Sequence, residues 1–232
     1  MNFSGISPDS VFLLAENRFN DSKSFYEEHK EQLQRGILLP MRQLTEDVSD
    51  IMLNMNGDMI LQPGRCISRI RRDTRFTNDK SLYRENMWIM FRHQKNHLPT
   101  PMLWFEFFPS GYDIGCGIIS TTPAFMDFWR RSIVGRKNAF LSAVKRAQSA
   151  GLTADGQHYK RSKADIDGIG GRLAEFYDMK EFFMSMHTDG IDDLSRPEFL
   201  VEKLRRVYLA AAPLYKFLLT LTTEFNCSTE EL

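Results

Sequence analysis

Residues 103–119 carry the clearest structural pattern in the chain and run Leu103-Trp104-Phe105-Glu106-Phe107-Phe108-Pro109-Ser110-Gly111-Tyr112-Asp113-Ile114-Gly115-Cys116-Gly117-Ile118-Ile119. Both halves are rich in aromatic and β-branched residues, as strands are, and partly alternate. The Pro-Ser-Gly stretch between them is typical of a hairpin connection. Similar segments at 66–70, 86–93 and 182–186 predict further strands. We therefore expect a mainly antiparallel sheet of four to six strands.

Two glycines in this region, Gly115 and Gly117, are two residues apart and so share one face of the predicted strand. A sheet face without side chains lets another backbone, an aromatic ring or a ligand approach closely. A helix packed on that face is the simplest interpretation.

Helix signals lie on both sides of the predicted sheet. They are Ser7-Pro8, Asn20 or Asp21 before an apolar stripe from Phe25 to Met52 that Pro40 kinks or divides, Thr122-Pro123, a helix ended by Gly151, and a Ser195–Glu198 capping box. We predict an α+β fold in a single domain over residues 1–232. Its sheet is covered by N-terminal, central and C-terminal helices.

Bulk composition excludes several classes of protein. Thirty Lys and Arg residues balance thirty Asp and Glu residues, so no overall field attracts nucleic acid or an anionic membrane. The N-terminus lacks the features of a signal peptide, and no apolar run reaches the roughly 20 residues that span a bilayer. Cys66, Cys116 and Cys227 have no paired spacing and fit a reducing compartment. We expect a cytoplasmic protein and leave its oligomeric state open.

The densest chemistry lies in residues 69–83, which contain five Arg or Lys side chains, two carboxylates and one phenol. Buried charges must be paired, so such a cluster is either an ion-pair network or a site for a charged ligand. Arginine offers a planar fork of donors that suits phosphate or carboxylate. The candidate ligand-binding residues are Arg69, Arg72, Asp73, Arg75, Asp79, Lys80 and Tyr83.

Three functions are compatible with this cluster. The leading hypothesis is a module that binds a small phosphate or carboxylate. The second is an enzyme acting on a phosphorylated or carboxylated small molecule, with Asp73 or Asp79 as general base and Tyr83 as acid. In the third, a structural or interaction protein, the cluster is internal bracing. The sequence does not decide whether the protein is an enzyme.

Other motifs give weaker signals. His93-x-x-x-His97 has zinc-like spacing, but Gln94 stands where a metalloprotease needs Glu, so we predict no metal site. There is no nucleophile elbow or phosphate-binding glycine loop, and we predict no cofactor. Seven cations against three carboxylates between Arg65 and Glu85 could hold phosphates. Because the charge of the whole chain is balanced, we do not predict nucleic acid as a partner.

The central signature resembles that of a widespread, mainly bacterial family, domain-of-unknown-function family 2461. It reads Arg69-Ile70-x-Arg72-Asp73-x-Arg75-Phe76-x-x-Asp79-Lys80-x-x-Tyr83. Residues 20–26, 110–117 and 159–161 also resemble family elements in the same order, so the resemblance covers roughly residues 3–223. It implies one compact α+β domain and no particular activity.

Overall fold

A computed structural model describes residues 1–94, 99–118, 120–160, 169 and 171–230. His97 of the histidine pair, Ile119 at the end of the predicted hairpin and Arg161 of the family resemblance lie outside the described residues.

Five strands form one antiparallel sheet in the order β1-β2-β3-β5-β4. They are β1 (Met87–Arg92), β2 (Pro101–Phe108), β3 (Gly111–Ile118), β4 (Thr153–Ala154) and β5 (Phe182–Asp189). The hairpin predicted at residues 103–119 is confirmed, with its turn at Pro109 and Ser110. Together with the helices described below, this sheet confirms the predicted α+β class.

Strands β1 and β2 alternate between a buried face and a half-buried face, as the pleat of a strand requires. Phe105 and Phe107 of β2 are fully buried, whereas Trp104, Glu106 and Phe108 lie on the opposite, partly exposed face. This second face is where the polar side chains of the sheet gather.

Contacts within the chain define two compact units. The first contains Met1–Phe91, Trp104–Ile114 and His187–Arg205, and the second contains Arg92–Leu103, Gly115–Met186 and Arg206–Leu232. The second unit has an aromatic core in which Phe140 packs edge-on against Trp129 and Phe182 stacks on the same indole. The assignment of residues 1–232 to one domain stays a prediction.

Short helices fill the N-terminal region. They are α1 (Pro8–Asn20), α2 (Lys23–Leu33), a π-helical turn (Gln34–Leu38), α3 (Leu39–Asp47), α4 (Ser49–Met55) and α5 (Pro63–Cys66). Ser7 caps α1 and Pro8 opens it, as predicted. Pro40 does not separate two helices, because the chain stays helical from α2 into α3. The π-helical turn directly before Pro40 adjusts the backbone bonding where proline lacks a donor.

The remaining helices are α6 (Pro123–Gly135), α7 (Lys137–Gln148), α8 (Gly171–Tyr177) and α9 (Pro197–Glu230). Thr122 caps α6, as predicted, and Gly151 has a φ of +94° just after α7, a conformation that favours glycine. The predicted Ser195 cap is wrong. The Ser195 hydroxyl donates to the Asp192 carbonyl inside a 3₁₀ turn, and the carbonyl of Arg196 accepts the first bond of α9.

The strand predicted at residues 66–70 is also wrong. Cys66 belongs to α5, because Pro63 favours a helical first turn. Beyond it, only isolated bridges form, between Ile67 and Ile89 and between Arg71 and Tyr83. The apolar residues that suggested a strand are buried without joining the sheet as a regular ladder.

The backbone of β5 approaches Gly117 closely. A Cβ atom at this position would overlap the Cα and Cβ of Phe183 and the carbonyl oxygen of Phe182. Glycine therefore permits two neighbouring strands to come together, which is one of the close approaches that the sequence suggested.

A polar cluster inside the first unit, here called the buried lysine cluster, joins the start of α9 to the sheet. Lys203 Nζ donates to the Tyr112 hydroxyl, to Thr188 Oγ1 at 3.2 Å and to Asp193 Oδ2 at 3.3 Å. The Tyr112 hydroxyl in turn donates to Asp193. All three ammonium protons of Lys203 thus have acceptors.

Candidate anion site

Residues 70–84, here called the arginine hairpin, form a narrow two-stranded loop. The Arg72 amide donates to the Leu82 carbonyl at 2.8 Å, and the Arg84 amide donates to the Ile70 carbonyl at 2.9 Å. Alternation along the two arms places Arg72 and Arg84 on one face and Arg71 and Tyr83 on the other. This alternation ends at Arg72, beyond which the two arms no longer pair.

The base of the hairpin is fastened to the N-terminal helices. Asp21 follows α1 with a φ of 45°, and its Oδ1 accepts hydrogen bonds from the amides of Leu82 at 2.7 Å and Tyr83 at 3.2 Å. The Tyr26 ring stacks on Tyr83 with 4.9 Å between centroids. Burial raises the pKa of Tyr83, with nearby Arg71 opposing the shift. Tyr83 thus has a clear structural role in holding the hairpin.

The tip of the hairpin satisfies its own charges. Asp73 accepts a bidentate pair from Arg75, with Oδ1–Nε 2.9 Å and Oδ2–Nη2 2.7 Å. This pair holds the pKa of Asp73 at about 2. Lys80 Nζ donates to the Thr74 carbonyl at 2.8 Å, and the Phe76 ring is 90% exposed. Asp73, Arg75 and Lys80, all predicted ligand-binding residues, therefore already have partners within the tip.

A second carboxylate, Asp79, lies nearer the base. It accepts from the Ser81 amide at 3.0 Å, from the Ser81 hydroxyl at 2.7 Å and from Arg72 Nη1. Arg18, at the end of α1, lies 3.7 Å from the same carboxylate. Hydrogen bonds from Ser81 and Arg72 hold the pKa of Asp79 well below its usual range. Asp79 is thus a fixed anion between two arginines.

Arg84 is a half-buried cation of the hairpin. Its guanidinium lies over the Trp88 ring, 4.3 Å from the centroid. Burial lowers the pKa of Arg84, the like charge of Arg72 lowers it further, and Glu106 opposes both. Within the described part of the chain, the buried Nε of Arg84 has no hydrogen-bond partner. A buried donor without an acceptor costs free energy that a ligand can recover.

Arg18 and Arg72 both reach the carboxylate of Asp79, and Arg84 lies close enough to Arg72 for the two like charges to repel; these three arginines are here called the arginine face. Arg69 and Arg71 are exposed, and neither forms an ion pair with another described residue. The sequence indicated Arg72 but not Arg18, which lies in a different helix. Arg84 contributed only to the local charge there.

A row of polar side chains crosses the partly exposed face of the sheet beside Arg84. Asn86 Nδ2 donates to Glu106 Oε1. On the next strand, Asp113 pairs with His187 at 2.7 Å from Nδ1, and Phe108 stacks on the His187 ring at 5.7 Å between centroids. Sequence reasoning missed this row, although the alternation in β2 already separated Glu106 from the buried Phe105 and Phe107.

Ionisation in the row follows from burial and from neighbouring charges. Burial raises the pKa of Glu106, and the negative charge of Asp113 raises it further. The hydrogen bond from Asn86 and the positive charge of Arg84 oppose this rise. The hydrogen bond to Asp113 raises the pKa of His187. Glu106 and His187 therefore both hold their protons to higher pH than the free side chains do.

The family signature lies along this hairpin and its supports. A family model described as a conserved hypothetical protein, DUF2461, matches residues 10–217. The chain belongs to the DUF2461 family. The resemblance inferred from residues 69–83 is thereby confirmed, and the match covers nearly the whole chain. No curated protein matches it.

Both carboxylates predicted as general bases in the DUF2461 protein, Asp73 and Asp79, accept hydrogen bonds from arginines. The hydrogen bonds that lower the pKa values of Asp73 and Asp79 also make both carboxylates weak bases. Among the described residues, no group of three His, Cys, Asp or Glu side chains is placed to hold a metal ion. None of the helices in the described ranges is long and apolar enough to cross a membrane.

Proposed function

We propose that this DUF2461 protein binds a small oxyanion, a phosphate or a carboxylate, on the arginine face. The observation that carries the proposal is the unmatched positive charge there: Arg18 and Arg72 share the one carboxylate of Asp79, and neighbouring Arg84 makes no ion pair with a described residue. The buried Nε of Arg84, which has no partner among the described residues, supplies a donor that such a ligand would satisfy.

The chemistry of each group suits an oxyanion. A guanidinium presents several donors in one plane, so Arg72 can keep Asp79 on Nη1 and offer its remaining donors to a ligand. The guanidinium of Arg84 lies over the Trp88 ring, a contact that restrains it before binding. Arg69, Arg75 and Lys80 contribute a positive field at longer range, and Tyr83 supports the hairpin.

Thermal melting tests this proposal. Phosphate, sulfate and acetate are compared with chloride at matched ionic strength, because salt alone screens exposed charges. A ligand at 100 times its dissociation constant stabilises by about 2.7 kcal/mol, which raises Tm by roughly 5–10 °C in a chain of this size. We expect Arg84→Met to abolish the shift without lowering the starting Tm, because it removes a cation that lies near another.

The matched control is Arg136→Gln, which removes an exposed arginine paired with Glu224 far from the hairpin in sequence. It should keep the full shift. A wild-type protein that no oxyanion stabilises, or an Arg84→Met variant that keeps the shift, would contradict the proposal.

We also propose a cytoplasmic location. Cys66, Cys116 and Cys227 are all free, with the first two buried and the third exposed. Free thiols of this kind fit a reducing compartment.

A further inference from the structure

We propose that the ligand of the arginine face is bifunctional: its oxyanion binds Arg84, and an adjacent hydroxyl or ammonium group donates to Glu106. The chemical class is a small hydroxy- or amino-substituted acid. This inference rests on the proposed function and adds to it the second group that the site would recognise.

Arg84 and Glu106 attract each other but do not meet. The guanidinium of Arg84 lies over Trp88, and Asn86, which stands between these two residues in the chain, donates to Glu106, so Arg84 and Glu106 lie in one neighbourhood. The opposing effect of Glu106 on the pKa of Arg84 agrees with this placement. Both residues are described, yet they form no ion pair. Each is held by another side chain: Trp88 lies under the guanidinium of Arg84, and Asn86 binds Glu106 Oε1. A cation and a carboxylate fixed apart in this way can be bridged by a ligand that carries both complementary groups.

The second oxygen of Glu106 is available to accept a further hydrogen bond. Asn86 engages Oε1, and no described residue donates to Oε2. The charged groups that face Glu106 are Arg84, beside β1, and Asp113, on β3, with His187 on the far side of Asp113. A half-buried carboxylate beside another carboxylate is poorly stabilised by its surroundings. A ligand hydroxyl or ammonium would supply the missing donor.

A simple anion or a simple cation fits this arrangement less well. A simple anion would satisfy Arg84 but place its negative charge beside Glu106 without a hydrogen bond between them. A simple cation would satisfy Glu106 but face three arginines. Only a molecule with both groups on neighbouring atoms matches the two fixed ends.

Three probes with the same carboxylate separate these possibilities: acetate, which has no donor, glycolate, which has a hydroxyl, and glycine, which has an ammonium. Dissociation constants are measured by NMR titration of the full chain. We expect wild-type protein to bind glycolate and glycine at least tenfold more tightly than acetate, since a hydrogen bond to a charged group commonly contributes that much.

Glu106→Gln is the decisive variant. Because Asn86 donates to one oxygen of residue 106, the new amide oxygen takes that place and its NH₂ group replaces Oε2. The variant then offers a donor where the wild type offers an acceptor. We expect the tenfold preference to disappear, with acetate binding kept or tightened. Glu85→Gln removes the same charge from an exposed neighbour and should keep the preference.

The possible failures are distinct. If acetate binds as tightly as glycolate and Arg84→Met abolishes both, the anion site stands and the role of Glu106 is wrong. An equal loss of preference in Glu85→Gln and Glu106→Gln would also overturn that role, since only general charge would then matter. If neither the three probes nor phosphate binds, the proposed function itself fails.

Discussion

The buried lysine cluster and the arginine face lie in the same compact unit and use the same kinds of charged groups. They differ in whether their hydrogen-bond donors have acceptors inside the protein. In the lysine cluster every proton of the ammonium has an acceptor inside the protein, and Lys203 and Asp193 side chains are only 11% and 18% exposed. On the arginine face, by contrast, Arg84 keeps a buried donor without an acceptor among the described residues.

This difference separates bracing from binding. Where every donor of a buried charge already has an acceptor, removing one member lowers stability, because a buried charge is left without its partner. An open network with excess positive charge loses binding instead, since removing one cation relieves repulsion. The third hypothesis, in which the arginine cluster is internal bracing, requires that the two regions respond alike.

The largest effect is expected in the lysine cluster. Asp193→Ala leaves the Lys203 ammonium buried without its carboxylate and should lower the free energy of unfolding by about 3 kcal/mol. Urea denaturation measures this change. Asp192→Ala, which removes an exposed neighbouring carboxylate, should change stability little. A loss below about 1 kcal/mol in Asp193→Ala would remove the contrast between the two regions.

A smaller effect is expected from Glu106 and depends on pH. Its pKa is raised in the folded state, so the folded protein binds more protons than the unfolded chain above the ordinary pKa of 4.5. Stability should therefore fall as pH rises from 4.5 through the folded-state pKa, and this decline should be absent in Glu106→Gln. Thermal melts of both proteins between pH 4 and 8 measure it. Parallel curves for the two proteins would show that folding does not raise the pKa of Glu106.

The smallest effect is expected at the tip of the arginine hairpin. Arg75→Gln breaks an exposed pair and should leave Tm unchanged, because solvent already screens both charges. The pKa of Asp73 should rise from about 2 toward its ordinary 3.8, as an NMR titration would show. Whatever stability the pair provides is present above pH 3.8 and is lost as pH falls toward 2. A marked drop in Tm at neutral pH would instead make the tip part of the bracing.

Features with local causes were predictable from the sequence. The turn at Pro109 and Ser110, the Ser7 cap with Pro8, and the Thr122 cap each depend on a few adjacent residues. The Ser195 cap failed because Ser195 ends a 3₁₀ turn, so α9 begins one residue later than the capping box requires. The strand at 66–70 failed because a helical turn competed for Cys66.

The candidate site was predictable only in part, for a related reason. Residues 69–83 are adjacent in sequence, so their charge density is visible without a structure. Arg18 reaches Asp79 from α1, and Glu106 faces Arg84 from β2, so their roles depend on tertiary packing. Composition also cannot distinguish Arg75, which pairs with Asp73, from Arg84, whose Nε has no acceptor among the described residues.

Asp21 has a consequence for how this protein can be altered. By binding the amides of Leu82 and Tyr83, it fixes the base of the arginine hairpin independently of the residues at its tip. The exposed Phe76 at that tip is therefore a natural place for an inserted epitope or a fluorescent label. A probe there would sit close to the arginine face and report on it while the hairpin base stays fastened to the helices.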